Sequence, residues 1–574
     1  MTDDALIADL LGSPPPATGE LPAAAPLPEL VRTGGGASAM VGGAFEGASR
    51  FDETLATWMP SYASADQDIL PVKEQLDARV RDTLRNDAYV AGGAQLHKDN
   101  IVGGMYMLNA KPMGRVLGAG FDDAWEEEFQ EEVEAKFTLA GETEDCWLDR
   151  GGKMSFTDMV RLAVGIYVQS GEMLAVSDWD QDEMRPFSTA IQFIDLARLS
   201  NPGVSSDPKV QTLLMNDRLR GGIEIDEAGR PVAYYIRDRH PTEWRTTQID
   251  KWRRVVAKMR WGRPRVIHIM EQERVNQHRG IAAITSALKE LRITKRFRDI
   301  VLQNAVLNAT FAATIESELD TNAIFTRLGG TSAQEYNNAV NNYMGSWMSS
   351  IAAYNSGAKG LQLNGVKIPH LPPGTKLHMQ PAGAGGPLGS DFEASLLRYI
   401  AASLGVSYEQ LSKDYSETNY SSARAAMNET WKFMVGRKRT VADRFANTVY
   451  RLWLEEALNR GQIDSMPRSA RGASWLYADP YRVSAITRAD WIGASRGQID
   501  ELKETQAAVL RLKYGLSTHE YEISRLGQDW RRNFRQKSRE QKLAESLDIT
   551  IGDPGPDQMN AASGSPRESN TEEQ

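Results

Sequence analysis

The chain has 574 residues, 66 Lys and Arg against 76 Asp and Glu, a formal net charge of −10 and one cysteine. That length has room for roughly two to four domains, and the acidic balance excludes a protein that coats nucleic acid through bulk positive charge. Cys146 alone excludes an internal disulfide or a multi-cysteine metal site and fits a reducing compartment.

In chain order, residues 1–48 are rich in Ala, Gly and Pro, with Pro14, Pro15, Pro16 and the run Gly34, Gly35, Gly36. They offer little to bury and read as a disordered tail. Over 72–94, Leu76, Val80 and Leu84 predict one helical face with Arg79, Arg81 and Arg85 beside it, ended by the turn Gly92, Gly93 and followed by a strand over 101–108. A helix over 122–138 places Trp125, Phe129, Val133 and Phe137 opposite a run of glutamates that reads as a solvated face. A helix over 155–168 precedes a strand over 172–176. The clearest hairpin is 222–238, where Ile223 and Ile225 alternate with acids before Gly229 and the return strand 232–236. A strand over 266–270 leads to a polar loop ending at Arg279 and Gly280. The mixture predicts an α+β first half within a mainly helical chain.

A long helix is expected over 281–314, with Ile284, Leu288, Leu291, Phe297 and Val301 on its apolar side and Lys289, Arg292, Lys295, Arg296 and Arg298 as positive outliers. Positions 289, 292 and 296 share a face, which is either an ordinary wet surface or a local strip for phosphate. Residues 315–390 differ in character, with a Met-, Trp- and Tyr-rich helix near 336–354 and a proline-interrupted strand over 365–379. A helix over 391–404 stops at Gly405, and a polar segment, 412–420, has no apolar periodicity. From an N-cap at Ser421 to a stop at Gly461, Met427, Trp431, Met434, Val441, Phe445, Val449 and Leu452 keep one stripe. That helix is about 60 Å long at 1.5 Å per residue. Trp431, Met434 and Trp453 read as subunit core before they read as a seam to a neighbour. Helices return over 485–548, and 549–574 reads as a second disordered tail.

No run approaches 18 apolar residues and no basic-then-apolar leader opens the chain, so the expectation is a soluble intracellular protein with no membrane contact. A phosphate cradle GxxxxGK[ST] is missing, as are HExxH, GxSxG and a dinucleotide loop GxGxxG. His268 and His278 lie apart without carboxylates at metal-ligand spacing, and His268 on its apolar strand reads as a core histidine. No catalytic residues, cofactor or metal are expected, so the chain does not read as an enzyme.

Four blocks carry a resemblance: 85–104 (RNDAYVAGGAQLHKDNIVGG), 222–241 (GIEIDEAGRPVAYYIRDRHP), 266–284 (VIHIMEQERVNQHRGIAAI) and 400–426 (IAASLGVSYEQLSKDYSETNYSSARAA). In this order, over about 50–545, the sequence resembles the portal proteins of tailed phages, of the lambda type. The resemblance implies an α+β, mainly helical, portal-like fold with wing, stem, clip and crown, assembled as a homo-oligomeric ring, typically of twelve subunits, at one capsid vertex. By position it implies a wing over 49–280, stem helices over 281–314 and 391–411, a clip over 315–390, a tunnel loop over 412–420, a long spine helix over 421–460, a wing return over 461–484 and a crown over 485–548. It further implies a channel for packaging and ejecting double-stranded DNA without sequence specificity. The partners implied are the major capsid protein, the large subunit of the terminase, a head–tail adaptor and the scaffold, in a virion assembled in the host cytoplasm.

A conduit must let a polyanion slide, so few strong cationic holds are wanted. The acidic total suits that. In the loop, Lys413 beside Asp414 and Glu417, with Thr418 and Asn419 as short polar groups, suits weak contact with DNA; Arg292, Lys295 and Arg296 are the candidate phosphate-facing strip. The rival readings are a packaging enzyme and a minor capsid or scaffold-binding protein without a channel.

Overall fold

A computed structural model describes residues 52–181, 184–202, 208–215, 217–243, 251–311, 390–416, 418–497 and 500–549, with short pieces between 341 and 367. The two terminal tails, most of 315–390 and Glu417 lie outside the described residues. The chain divides into two units, Met1–Ala63 and Ser64–Gln574. Of the first, 52–63 is described and opens on a turn in which Ala56 N donates to Asp52 O at 2.8 Å. All that follows concerns the second.

The helix expected over 72–94 is two helices, α1 (Lys73–Asn86) and α2 (Ala88–Ile101). Asp87 separates them because its backbone is extended and its carboxylate caps α2, accepting from Tyr89 N and Val90 N. Gly92 and Gly93 therefore lie inside a helix and form no turn. Gly93 lets α2 approach a later helix, since a Cβ there would sit 2.7 Å from Leu404 Cδ1. The expected strand over 101–108 is β1 (Met107–Ala110), paired antiparallel with Ala489–Ile492 from the far end of the chain.

Helix α3 (Asp123–Gly141) buries Trp125, Phe129, Val133 and Phe137 as its pattern requires. Its glutamates are not one solvated face. Glu126 accepts from Gly114 N, Glu132 from Asp464 N and Ser465 N, and Glu134 from Ala110 N. Burial, eased by the Ala110 N–H, pushes the Glu134 carboxyl up to about 7. Because this acid binds a proton more readily folded than unfolded, stability falls as pH rises from about 4.5 to about 7 and then levels off. The contribution is at most about 3–4 kcal/mol at roughly 1.4 kcal/mol per unit. Glu134→Gln, which keeps the acceptor for Ala110, is expected to flatten that slope in denaturant titrations at pH 5 and pH 8; an unchanged slope would clear Glu134 of the effect.

Helix α4 (Phe156–Ser170) leads into β2 (Glu172–Trp179), the middle strand of a sheet ordered β3-β2-β8, with β3 at Thr189–Phe193 and β8 at Val266–Met270. A second antiparallel sheet runs β4 (Leu219–Arg220), β5 (Ile223–Ile225), β6 (Pro231–Arg237) and β7 (Trp252–Val256), so the expected hairpin is its centre. Leu174, Val176, Ile194, Ile223, Tyr234, Ile236 and Val255 fill the space between the two. Glu172, with no exposed surface, bonds Arg279 (2.8 Å), His268 (3.0 Å) and Gly280 N (2.9 Å), with Lys73 at 3.4 Å. The His268 side chain is thus largely covered, 6% exposed, on a half-buried residue, and it serves as a polar partner of that carboxylate. Arg279 also donates to Leu199 O and Gly221 O, tying the second sheet to the first.

The first long helix starts later than expected. A 3-10 turn, Ala283–Ala287, precedes α5 (Leu288–Phe311). In the stretch beyond, β9 (Gln362–Leu363) and β10 (Val366–Lys367) pair antiparallel. Helix α6 (Ser390–Leu404) ends at Gly405, and a separate short helix α7 (Tyr408–Ser412) follows, so the span 391–411 is not one helix. The long rod is continuous but mixed: α8 (Tyr420–Arg437), a π-helical turn Lys438–Asp443, and α9 (Arg444–Asn459). Its N-cap is Asn419, whose side chain accepts from Ser422 N at 2.8 Å, and not Ser421.

Past the short helices Ala473–Tyr477 and Pro480–Ile486 comes β11 (Ala489–Ile492), the partner of β1, then α10 (Glu501–Lys513), α11 (His519–Ser524) and α12 (Trp530–Ser546). The main core gathers Phe137, Phe156, Tyr450, Trp453 and Trp491, with Phe137 and Trp453 centroids 5.3 Å apart and Phe156 and Trp491 also 5.3 Å apart. Met434 and Trp453 are buried within the subunit and Trp431 is half-buried. Among the described residues, no helix is long and apolar enough to cross a membrane.

Candidate functional site

The polar segment between α7 and α8 is built by its caps. Ser407 and Gln410 form a capping box at the start of α7. Lys413 ends that helix in the left-handed region at φ 60, with its N–H donating to Glu409 O at 2.8 Å. Asp414 then folds over Ser416, accepting from its N–H (3.0 Å) and its hydroxyl (2.6 Å). The Ser416 hydroxyl and N–H hold the Asp414 carboxyl below its usual range. Thr418 N closes a turn onto Tyr415 O at 3.2 Å, and Asn419 opens α8. Lys413, Asp414 and Asn419 are exposed, Thr418 is half-buried, and Glu417 lies outside the described residues. Lys413 makes no ion pair among the described residues. The connection is therefore a short, self-bonded polar loop with an exposed ammonium at its start that is unpaired among the described residues.

Its base is packed tightly, through contacts that no local pattern in the sequence signals. His97, fully buried on α2, bonds Leu404 O through Nε2 at 3.0 Å, and its ring lies 6.2 Å from Phe433 of α8. Burial, and then the charge of Arg437, lower its pKa to about 3, so the ring is neutral at any ordinary pH. Gly405 sits at φ +68, where an added Cβ would meet Phe433 Cε1 at 2.3 Å. Arg437 lies over Phe433 (4.5 Å) and Tyr167 (5.4 Å), and Tyr167 donates to Glu271 at 2.8 Å. These contacts fix both ends of the loop to the α+β body. His97 is about 300 residues from Leu404 in sequence, which puts the pair beyond the reach of any periodicity.

The rod behind the loop changes character at its π turn. Lys438 donates to Asp443 (2.8 Å) and to Trp491 O (2.9 Å), and Tyr106 donates to the same Asp443 carboxylate. Of α8 only Thr430 and Met434 are buried, whereas α9 buries Phe445, Val449, Tyr450, Leu452 and Trp453. One half of the rod is core, and the other half touches the body at Thr430, Phe433, Met434 and Arg437 while most of its other residues keep exposed or half-exposed surface.

The positive strip on α5 divides. Arg298 pairs with Glu393 of α6 at 2.9 Å and lies over Tyr89, so its charge is used within the fold. Lys295 is half-buried and reaches Asn86 O at 3.4 Å. Lys289, Arg292 and Arg296 are exposed and make no ion pair among the described residues. The candidate phosphate-facing residues thus keep free charge at Arg292 and Arg296, on an element separate from the loop. Among the described residues, no cluster of His, Cys, Asp and Glu is arranged to hold a metal ion.

A family profile described as phage portal protein, lambda family, matches residues 51–438. Portal protein B of Escherichia phage lambda is 36% identical over 494 residues, covering 86% of this chain and 88% of its own. The portal protein of Escherichia phage N15 is also 36% identical, covering 86% and 89%. Among solved structures, a chain from the virion of a native gene transfer agent particle matches with a TM-score of 0.33 at 12% identity, covering 78% of this chain and 92% of that one. A chain from the neck of the native particle, computed with C12 symmetry, covers 82% and 97% at a TM-score of 0.32 and 11% identity. At such scores the structural likeness carries no argument; the sequence match does.

Proposed function

Because the chain belongs to the lambda family of phage portal proteins, we propose that it closes into a ring of twelve copies at one capsid vertex and passes double-stranded DNA in packaging and ejection. In this reading it is a conduit and not an enzyme. It meets the major capsid protein and the scaffold on its outer side, and the large terminase subunit and then a head–tail adaptor at its clip. The observation that supports a ring best is the asymmetry of the rod: α9 is sealed in the subunit core while α8 keeps most of its surface uncovered. A closed ring needs two different patches that meet head to tail, and an uncovered helix beside a rigid body offers one.

The regions take adjusted bounds. The wing runs to about residue 280, the stem comprises α5 and α6, and the clip is the excursion between them. The tunnel loop is 413–419, the spine is α8 with α9, the wing returns over 461–484, and α10 to α12 belong to the crown. Lys413, Asp414, Glu417, Thr418 and Asn419 face the channel, and Arg292, Lys295 and Arg296 lie toward phosphate. A chain that is acidic overall and places few exposed cations toward DNA lets it slide, since each neutralised phosphate adds to a salt-dependent grip.

Native mass spectrometry of the purified protein is expected to give one discrete multiple of 63.6 kDa, and negative-stain images to give rings with a central hole. A monomer under every condition, or assemblies without a hole, would remove the conduit from consideration.

A further inference from the structure

A cleft of about 770 Å³ opens between the end of β2, the connection from β7 to β8 and α9, lined by Trp179, Met259, Trp261, Pro264, Arg265 and Tyr477 among others. Trp179, the last residue of β2, and Trp261, in the turn between β7 and β8, are each 49% exposed. The floor is held in place: Arg263 pairs with Glu455 at 2.6 Å, and Trp261 Nε1 and Tyr477 OH both donate to that same carboxylate. The other charges of the lining are matched, Asp178 by Arg150 and Glu456 by Arg460 at 2.6 Å. Arg265 is the exception. It makes no ion pair among the described residues, and its Nε is buried without a hydrogen-bond partner. The Trp179 indole N–H also has no partner among them.

The cleft therefore offers flat aromatic surface, the Trp179 indole N–H and, at Arg265, one positive charge without a counter-charge among the described residues. A complementary occupant is apolar, rich in carbonyl acceptors, poor in donors and flanked by acid. Proline-rich chain fits those terms, because each proline presents a ring and a carbonyl but no N–H, and aromatic grooves that bind it in extended form are a recurrent solution. This protein carries such a segment. Residues 13–30 read SPPPATGELPAAAPLPEL, with prolines at 14, 15, 16, 22, 26 and 28 and acids at Glu20 and Glu29. The Gly-rich stretch 31–51 after it spans up to about 70 Å when extended.

We propose that this aromatic cleft binds residues 13–30 of a second copy of the chain, a strap between neighbours that deepens, and rests on, the ring reading above. Glu20 or Glu29 meets Arg265, and proline carbonyls accept from the Trp179 indole. Such a strap fastens adjacent copies from outside the rod and adds to ring closure without touching the loop or the positive strip.

The test uses full-length protein carrying Met259→p-benzoylphenylalanine at the cleft rim, assembled from a mixture of ¹⁴N- and ¹⁵N-labelled chains and irradiated. The expected product joins a light and a heavy chain, with the cross-link inside residues 13–30. Arg265→Glu is expected to lower its yield about tenfold, as the loss of one well-placed charged interaction implies, and combining it with Glu20→Arg and Glu29→Arg is expected to restore it. Rings of unchanged native mass that give no cross-link, cross-links elsewhere, or only links within one chain overturn the strap and leave the portal reading standing. Failure to form any assembly overturns both.

Discussion

Glu172→Gln is expected to lower the free energy of unfolding by about 3–5 kcal/mol, the usual cost of breaking a buried charge pair on one side only. Glu172 has no exposed surface, and its carboxylate faces Arg279, His268 and Lys73 while accepting from Gly280 N. Glutamine has the same shape and still accepts from Gly280, so the loss reports charge and not volume. Without the carboxylate, Arg279 is left buried with no acid against it among the described residues, while Lys73 keeps Asp77 at 2.8 Å. The double variant with Arg279→Met is therefore expected to regain part of the loss. Burial pushes the Glu172 pKa up, but Arg279, Lys73 and His268 push it further down, leaving it below the ordinary carboxylate range. A depressed acid stabilises the fold above its unfolded pKa and loses that contribution as pH falls. The gap between wild type and Glu172→Gln should therefore be full above about pH 4.5 and narrow steadily, by roughly 1.4 kcal/mol per pH unit, as pH falls below it toward the depressed folded pKa. Urea titrations at pH 7 and pH 3.5 measure both; a cost under about 1 kcal/mol at pH 7 would refute a structural role for the charge.

Lys413→Gly separates the charge of the loop from its geometry. Lys413 occupies the left-handed region, which costs a non-glycine residue roughly 1–2 kcal/mol, so glycine removes the ammonium while relieving strain. Ring assembly and thermal stability are expected to hold or improve. Binding of double-stranded DNA by the ring, measured over a salt series, is expected to show a slope shallower by about 1 for each phosphate that the ammonium no longer neutralises. Phage carrying Lys413→Gly together with Asp414→Ala and Thr418→Ala is expected to assemble normal heads that retain less DNA. Heads filled to the wild-type level with an unchanged salt slope would take the loop out of the functional set.

The contrast between helices and contacts explains what can be read in advance. Strand 266–270, the 222–238 hairpin and the helices near 123–141 and 156–170 follow from alternation or a 3.6-residue stripe within one short window, and they stand where the pattern puts them. The strand Ala489–Ile492 escapes such a reading because four residues carry no usable period, and it is a strand only because Met107–Ala110 lies beside it. The split of 72–94 at Asp87 is hidden because the apolar stripe runs through a cap. The acid run of α3 is uniform in sequence, yet Glu126, Glu132 and Glu134 each find backbone N–H groups from other parts of the chain. At the loop, the polar composition is legible, while its clamp of His97, Gly405, Phe433 and Arg437 is not.

By itself, the sequence determined the class of the protein, its long amphipathic rod, the polar loop before it and the charges that loop carries, because periodicity, capping and family motifs are local properties of the chain. Only the tertiary structure decided that Glu172 is shared by Arg279, Lys73 and His268, that α9 is sealed in the core while α8 buries only Thr430 and Met434, and that Arg265 has no ion-pair partner among the described residues in an aromatic cleft. Each of these depends on which distant groups share a dry space. Burial raises the cost of an unpaired charge and the value of a paired one, and nothing in a stretch of neighbouring residues records who the partner will be.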